Sequence, residues 1–541
     1  MPQVEPANKG CVDSRRPLLP PKISKVMSAQ KAVGLIKDGA TVACGGFCGA
    51  GVAEDLYIYL KERFLETKKP EGLTLVYAAG QGDYAERGLS HLGYEGLVRK
   101  VIGGFFGAAP RLAKFVIDNK IEAYNFPQGV ISHMYRDIAA HKPRTITSTG
   151  LETFVDPRKG GGKANAMTTG DLVELVDFDG KEYLAYKTFP IDVAILRGTT
   201  ADEDGNISME KEALTLEVQA MAMAAKNSGG IVLVQVERVV QRGTLNARQV
   251  IIPGILVDSV VISRPENHWQ TFAEVFNPAY SCQVRVPLES LPNLKLGSRK
   301  IIARRAAFEL NLGDIVNLGI GMPEGISNVA NEEGILDALA LTAEPGVIGG
   351  FPAGGLSFGA AANLDALIDQ PSQFDMYHGG GLDIAFLGLA QADEKGNLNV
   401  SKFGPRLAGA GGFIDITQNA KKVVFTGTFT ADGIQVEVKD GTLSILQEGK
   451  LKKFLKSVEQ VTFSGTYAAN KKQPVLFVTE RCVFRLTDKG LELIEIAPGI
   501  DIENDILANM DFTPLIKTPK LMDDRIFRPE PMGLIANLLV S

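Results

Sequence analysis

Two stretches of this chain repeat one another in fixed register, and no other feature restricts its fold as strongly. Ala29, Ala32, Val33 and Ile36 fall at helical spacing, and Gly39, the apolar run Thr41-Val42-Ala43-Cys44 and the glycine-rich turn Gly45-Gly46-Phe47-Cys48-Gly49-Ala50-Gly51 follow. Ala303, Ala306, Ala307 and Leu310 repeat that spacing 274 residues on, before Gly313, Ile315-Val316-Asn317-Leu318 and Gly319-Ile320-Gly321-Met322-Pro323-Glu324-Gly325. A second pair, Asp192-Val193-Ala194 through Gly205-Asn206 and Asp383-Ile384-Ala385 through Gly396-Asn397, stands at an offset of 191. Two homologous halves are expected. In each, Gly-Asn marks a turn, after which a helical stretch leads to a further apolar strand, Ile231-Val232-Leu233-Val234 or Val423-Val424-Phe425. Continuous apolar strands alternating with helices point to the α/β class, as two related open α/β domains with largely parallel sheets. The aperiodic, proline-containing stretch 286–297 is the expected linker, between an N-terminal domain over 27–285 and a C-terminal one over 298–541. Residues 1–26 read as a flexible extension, since the first 22 hold five prolines and two acids without an apolar signal core.

Composition excludes several classes of function. With 541 residues, 45% of them hydrophobic and 22% charged, the chain has apolar material for more than one core. Its 57 Lys and Arg stand against 63 Asp and Glu, a net charge of −6 with no basic run, so no nucleic-acid partner is expected. The five cysteines are scattered and form no CxxC pair, which fits a reducing compartment, and with no targeting signal read in the sequence the cytoplasm is expected. The 20 uncharged residues from Pro345 to Leu364 are broken by glycines and Pro352, so no membrane span is expected.

Candidate chemistry narrows by elimination. Gly319-Ile320-Gly321 follows a strand, but the GxGxxxG spacing departs from the dinucleotide fingerprint and Pro323 suits a first helical turn, which argues against nicotinamide. His91, His133, His141, His268 and His378 form no metal-binding spacing, and no GxSxG elbow accompanies them, so neither a metal nor a serine triad is expected. Glu344 remains, between the apolar Leu341-Thr342-Ala343 and Pro345-Gly346, where a carboxylate is held on a sharp turn at a strand end. Gly379-Gly380-Gly381 and Gly409-Ala410-Gly411-Gly412 are candidate anion-binding backbone, and Gln128, in Pro127-Gln128-Gly129, is a candidate amide donor.

Together these residues resemble the family I coenzyme A transferases, in the fused form with both halves on one chain. Asp38-Gly39, Val42-Ala43-Cys44, Gly45-Gly46-Phe47 and Gly51 match the family's N-terminal signature, with Ala53 where proline is usual. Glu344-Pro345-Gly346-Val347-Ile348 resembles its active-site signature, with Ala343 and Pro345 as departures. Tyr124-Asn125-Phe126-Pro127-Gln128-Gly129-Val130, Phe154-Val155-Asp156-Pro157-Arg158 and Ile496-Ala497-Pro498-Gly499-Ile500-Asp501 are most similar to the acetate and propionate branch. The resemblance implies a CoA-transferase-like fold and transfer of CoA between short-chain acids by ping-pong kinetics. It implies Glu344 as the nucleophile that becomes a glutamyl-CoA thioester, and Gln128 with the amides of Gly379 and Gly380 as the oxyanion hole. CoA, a substrate and not a resident cofactor, is expected near Lys402-Phe403-Gly404, Gly409, Gly411 and Gly412. A homo-oligomer is implied as well. No general base is expected, because a glutamate of ordinary pKa, about 4.3, is ionised at neutral pH. An acyl-CoA hydrolase using the same glutamate and a non-catalytic CoA-binding protein are the alternatives.

Overall fold

The computed structural model describes residues 24–287 and 293–538. In the first half, seven strands form one parallel sheet: β1 (Thr41–Cys44), β2 (Leu73–Tyr77), β3 (Val98–Gly103), β4 (Glu122–Asn125), β5 (Val193–Arg197), β6 (Ile231–Val236) and β7 (Ser259–Ile262). Their spatial order is β7-β6-β5-β1-β2-β3-β4. The second half contributes β8 (Ile315–Leu318), β9 (Ala340–Ala343), β10 (Val347–Ile348), β11 (Ala366–Leu367), β12 (Ile384–Gly388), β13 (Lys422–Thr426), β14 (Val475–Val478), β15 (Cys482–Thr487), β16 (Gly490–Ile496) and β17 (Leu515–Leu521). These ten strands run β11-β10-β9-β8-β12-β13-β14-β15-β16-β17. The central five pair in parallel, and antiparallel pairings begin on either side of them.

The internal repeat appears in the sheets position for position, β7-β6-β5-β1-β2 in one half matching β14-β13-β12-β8-β9 in the other. Equivalent carboxylates do equivalent work. Asp192 accepts the Thr41 amide at 2.8 Å, pinning the start of β1 to β5, and Asp383 accepts the Ile315 amide at 2.9 Å, pinning β8 to β12. After each of those neighbouring strands an aspartate closes a turn on the following Gly-Asn. Asp202 accepts the Asn206 amide and side chain at 3.0 and 2.9 Å, and Asp393 accepts those of Asn397 at 3.0 and 3.0 Å.

The expected boundaries need correction at two points. Residues 1–23 of the expected extension lie outside the described residues, but Lys25 and Val26 already belong to the fold. Val26 bridges Val260 of β7, and Lys25 Nζ donates to the Val257 carbonyl at 2.7 Å. Of the expected linker, residues 288–292 lie outside the described residues. Val286 is held by the second half, its amide donating to Asn363 Oδ1 at 2.8 Å.

The halves share a core. Ala43, Phe47, Tyr124 and Phe126 of the first half pack in one cluster with Ala343, Val347, Phe358 and Ile414 of the second. Three helices line the contact: α1 (Gln128–Ala139), α2 (Gln370–His378) and α3 (Phe413–Asn419). Gly129 permits their approach, since a Cβ there would lie 2.5 Å from the Phe374 ring and 2.6 Å from Asp415 Oδ1. Gly129→Ala is therefore expected to lower the melting temperature, overpacking of this kind costing about 1–3 kcal/mol. An unchanged melting curve would contradict the close approach of α1 to the second half.

Candidate active site

Glu344 stands where the sheet topology puts ligands, beyond the carboxyl end of a parallel strand. It leaves β9 into a three-residue link, Glu344-Pro345-Gly346, that returns as β10 with Ala343 paired to Val347. Gly346 has φ +115°, and a Cβ there would lie 2.0 Å from the Ile368 carbonyl oxygen, so no other residue fits this turn. The Gly346 amide closes the turn on the Ala343 carbonyl at 3.1 Å. The proline and glycine after Glu344 thus fix where its carboxyl points.

That carboxyl lines a cavity of about 230 Å³ between the halves. The two repeated turns converge on it, the first presenting Phe47 and Cys48 and the second Gly319 and Ile320. Phe105, Phe358 and Tyr84 add aromatic wall. Glu344 is only 8% exposed, and burial first, then the nearby carboxylate of Asp415, pushes its pKa from 4.5 up to about 7. This corrects the expectation of an ordinary, fully ionised glutamate. The same burial, with Glu344 itself adding to it, pushes the Cys48 thiol up to about 12, so Cys48 is not a competing thiolate.

Two residues that can donate hydrogen bonds line the cavity with Glu344. Gln128, 2% exposed, occupies the first turn of α1 and is seated by its own amide, which donates to the Gly411 carbonyl at 2.9 Å. Its carboxamide lines the cavity and donates only weakly elsewhere, at 3.4 Å to Gln370. Gly412 caps α3, where an amide has no intrahelical acceptor, and a Cβ at Gly412 would lie 3.5 Å from Glu344 Cγ.

Gly379 and Gly380 are not there. Their amides cap α2, donating to the Asp375 and Tyr377 carbonyls at 3.0 Å each. They lie ahead of β12, at the opposite end of the sheet from Glu344, so the expectation that they form the oxyanion hole is corrected. Of the residues expected near CoA, Gly409, Gly411 and Gly412 line the cavity. Lys402, Phe403 and Gly404 stand in a hairpin with Arg406 and Leu407 that leads directly into that loop. Lys402 Nζ is 3.5 Å from Glu459, and the Gly404 amide donates to the same carboxylate at 2.6 Å.

Sequence reasoning missed Asn317, a polar residue inside the apolar β8 where the repeat has Ala43. The residue lines the cavity, and its buried Oδ1 has no hydrogen-bond partner among the described residues. It also missed Asp415. That carboxylate is fully buried, accepts the Gly129 amide at 3.1 Å through Oδ2 and meets His378 Nε2 at 2.8 Å through Oδ1. Among the described residues, no group of three or more His, Cys, Asp and Glu could hold a metal ion, and no helix is long and apolar enough to cross a membrane.

The site is a buried, turn-fixed carboxyl in a cavity between two α/β halves, lined with it by Gln128 and Gly412. The family model for coenzyme A transferases matches residues 26–263. Caffeate CoA-transferase of Acetobacterium woodii is 50% identical over 519 residues, covering 95% of this chain and 99% of that protein. Acetate CoA-transferase YdiF of Escherichia coli (strain K12) is 44% identical over 526 residues, covering 96% and 99%. The crystal structure of the acyl-CoA transferase YdiF apoenzyme from Escherichia coli O157:H7 matches with a TM-score of 0.90 at 44% identity, covering 94% of this chain and 97% of that one. The same protein in a thioester complex with CoA matches with a TM-score of 0.89. The chain belongs to the coenzyme A transferase family.

The raised pKa of Glu344 has two measurable consequences. If the carboxylate is the reactive form, kcat/KM falls as pH drops through about 7, with an acid limb that reports this group. A folded pKa above the unfolded one means that the stabilising form is the protonated one. Its contribution is complete below pH 4.5 and is lost as pH rises through about 7, on the order of 3 kcal/mol in all. Glu344→Gln is therefore expected to melt above the wild type at pH 8 while losing transfer activity. Equal melting temperatures at pH 8 would contradict the buried carboxylate.

Proposed function

We propose that this chain transfers CoA from a short-chain acyl-CoA, such as acetyl- or propionyl-CoA, to a second carboxylate through a glutamyl-CoA thioester on Glu344. The observation that carries this reading is the carboxyl of Glu344, buried at the end of β9 and faced from opposite halves by Gln128 and Gly412. The Glu344 carboxylate attacks the thioester carbonyl, and the resulting oxyanion accepts hydrogen bonds from the Gln128 carboxamide and the Gly412 amide. The intermediate collapses to a mixed anhydride and CoA thiolate, a leaving group whose thiol pKa is only about 8.5. The thiolate then attacks the glutamyl carbonyl, releasing the first carboxylate and leaving CoA on Glu344. A second carboxylate reverses both steps and departs as the new acyl-CoA. No net proton transfer is needed, which accounts for a site without a histidine base.

Water exclusion follows from the same arrangement. The anhydride and thioester are both hydrolysable, and a cavity walled by Phe47, Phe105 and Phe358 keeps bulk water from them. The exposed Arg406 acts on the Tyr84 phenol at the cavity's rim, and with Lys402 it offers cations for the phosphates of CoA. The four described cysteines are free, which fits the reducing cytoplasm in which we place the protein. A larger acceptor has its own support, because the aromatic wall suits a planar acid and one relative is a caffeate CoA-transferase.

Initial rates measured against acyl-CoA at several acceptor concentrations test the scheme, with parallel double-reciprocal lines expected and intersecting lines contradicting it. Running the assay with acetate, propionate and caffeate distinguishes the acceptors, and CoA release without any acid would identify a hydrolase. Gln128→Ala is expected to lower kcat by about 10² to 10³ without raising the KM for acyl-CoA to match, the loss typical of one oxyanion donor. A wild-type kcat would remove Gln128 from the oxyanion hole.

A further inference from the structure

The two donors beside Glu344 belong to different halves, and each is a short step from the same buried side chain. Gln128 immediately precedes Gly129, whose amide donates to Asp415 Oδ2 at 3.1 Å. Gly412 lies three residues before Asp415, with only the first turn of α3 between them. Asp415 therefore holds the N-terminal turn of α1 to that of α3 at the point where both face the cavity.

Its surroundings hold it in turn. His378 Nε2 meets Asp415 Oδ1 at 2.8 Å, and the His378 ring packs edge to face on His133 of the first half, with centroids 4.9 Å apart. His133 reaches Asp375 at 3.0 Å, and Asp375 also accepts from Arg136 at 2.5 Å. The Asp415 carboxylate is thus faced by the Gly129 amide from α1, by His378 from α2 and, at longer range, by the Tyr186 phenol and by Glu344. A fully buried carboxylate is a costly way to join two helices, and well-packed apolar residues do as well for stability alone. What an apolar residue would not supply is an acceptor in line with the Gly129 N–H.

We propose that Asp415 is a positioning residue for the transfer reaction, registering Gln128 and Gly412 on the carbonyl attacked by, or presented on, Glu344. This rests on the proposed glutamyl-thioester mechanism. Misplacement of a catalytic group by about 1 Å can cost on the order of 10² in rate. Asp415 touches neither substrate nor Glu344 in this role, so its loss is expected in kcat and not in the binding of acyl-CoA.

The test compares three full-length proteins: wild type, Asp415→Asn and Asp415→Ala. Formation of a CoA adduct in the wild type is checked first, by mass spectrometry after mixing with propionyl-CoA. If the wild type forms none, the underlying mechanism fails and the positioning role falls with it. If it does, Asp415→Ala is expected to lose about 10² in kcat with an unchanged KM for acyl-CoA. Asp415→Asn keeps an oxygen acceptor for the Gly129 amide and is expected to stay within about tenfold of wild type. Because it removes a like charge near Glu344, it is also expected to shift the acid limb of kcat/KM to lower pH. A folded Asp415→Ala protein with wild-type kcat overturns the proposal, as does an asparagine variant as slow as alanine with an unmoved acid limb. Should the alanine protein fail to fold, Asp415→Glu decides: its longer side chain displaces the acceptor from the Gly129 amide, so a loss of kcat with an unchanged KM for acyl-CoA supports the role and a wild-type kcat overturns it.

Discussion

A seam of backbone hydrogen bonds between the halves is the constraint on which the site depends. The loop from Ala408 to Gly412 is stitched to the first half along its length. Ala408 O accepts the amides of Phe106 and Gly107 at 2.7 and 3.0 Å. The Ala410 amide donates to Asn125 Oδ1 at 2.9 Å, and the Gly411 amide donates to the Gly104 carbonyl at 2.7 Å. Gln128 returns the contact by donating its own amide to Gly411 O at 2.9 Å. Asn125 is the pivot, since its Nδ2 also donates to the carbonyls of Gly103 and Gly104 at 2.9 and 2.6 Å. Side chains could be exchanged along this seam, but the carbonyl and amide positions could not move without separating Gln128 from Gly412. The glycines are needed for the close approach: a Cβ at Gly409 would lie 2.9 Å from the Gly104 oxygen.

Within that frame, the reactive group is held in a state that folding does not favour. Burial raises the Glu344 carboxyl to about 7, and Asp415 adds to the shift, so the ionised form is disfavoured there. A carboxylate withdrawn from water in this way is poised to attack under the proposed reaction, at a cost in stability. The repeat also shows where the two halves differ beside the sheet ends. Gly388, which lines the cavity at the end of β12, is matched in the first half by Arg197 at the end of β5. Arg197 is buried there in an ion pair with Glu212, at 3.1 Å. The matching position is thus lined by a buried ion pair in one half and by glycine in the other.

The architecture was legible because the repeat is encoded by residues with local jobs. Asp192 and Asp383 pin strand starts, and Asp202 and Asp393 close turns, so offsets of 274 and 191 in the sequence reappear as equivalent strands in two sheets. Glu344 was legible for the same reason, its turn being written in Pro345 and Gly346. Gln128 was reached through the family resemblance, and the proposed backbone donor was not legible, because a run of glycines does not say where its amides point. Gly379-Gly380-Gly381 follows a helix and precedes a strand, which puts it at the amino end of a parallel sheet. Gly409 to Gly412 precede a helix, and they lie at the end where ligands bind. That difference was available in the order of elements. Asp415 carried no such signal, because its partners, Gly129 and His378, come from distant parts of the chain.

The proposed reaction passes through a covalent bond to one side chain. The most direct measurement is peptide mass spectrometry on the protein incubated with propionyl-CoA alone, quenched in mild acid, and repeated after addition of acetate. A CoA adduct on the peptide that contains Glu344, discharged by acetate as acetyl-CoA appears, is the result expected. Acetyl-CoA formed with no adduct on that peptide, or an adduct on another residue, would contradict it.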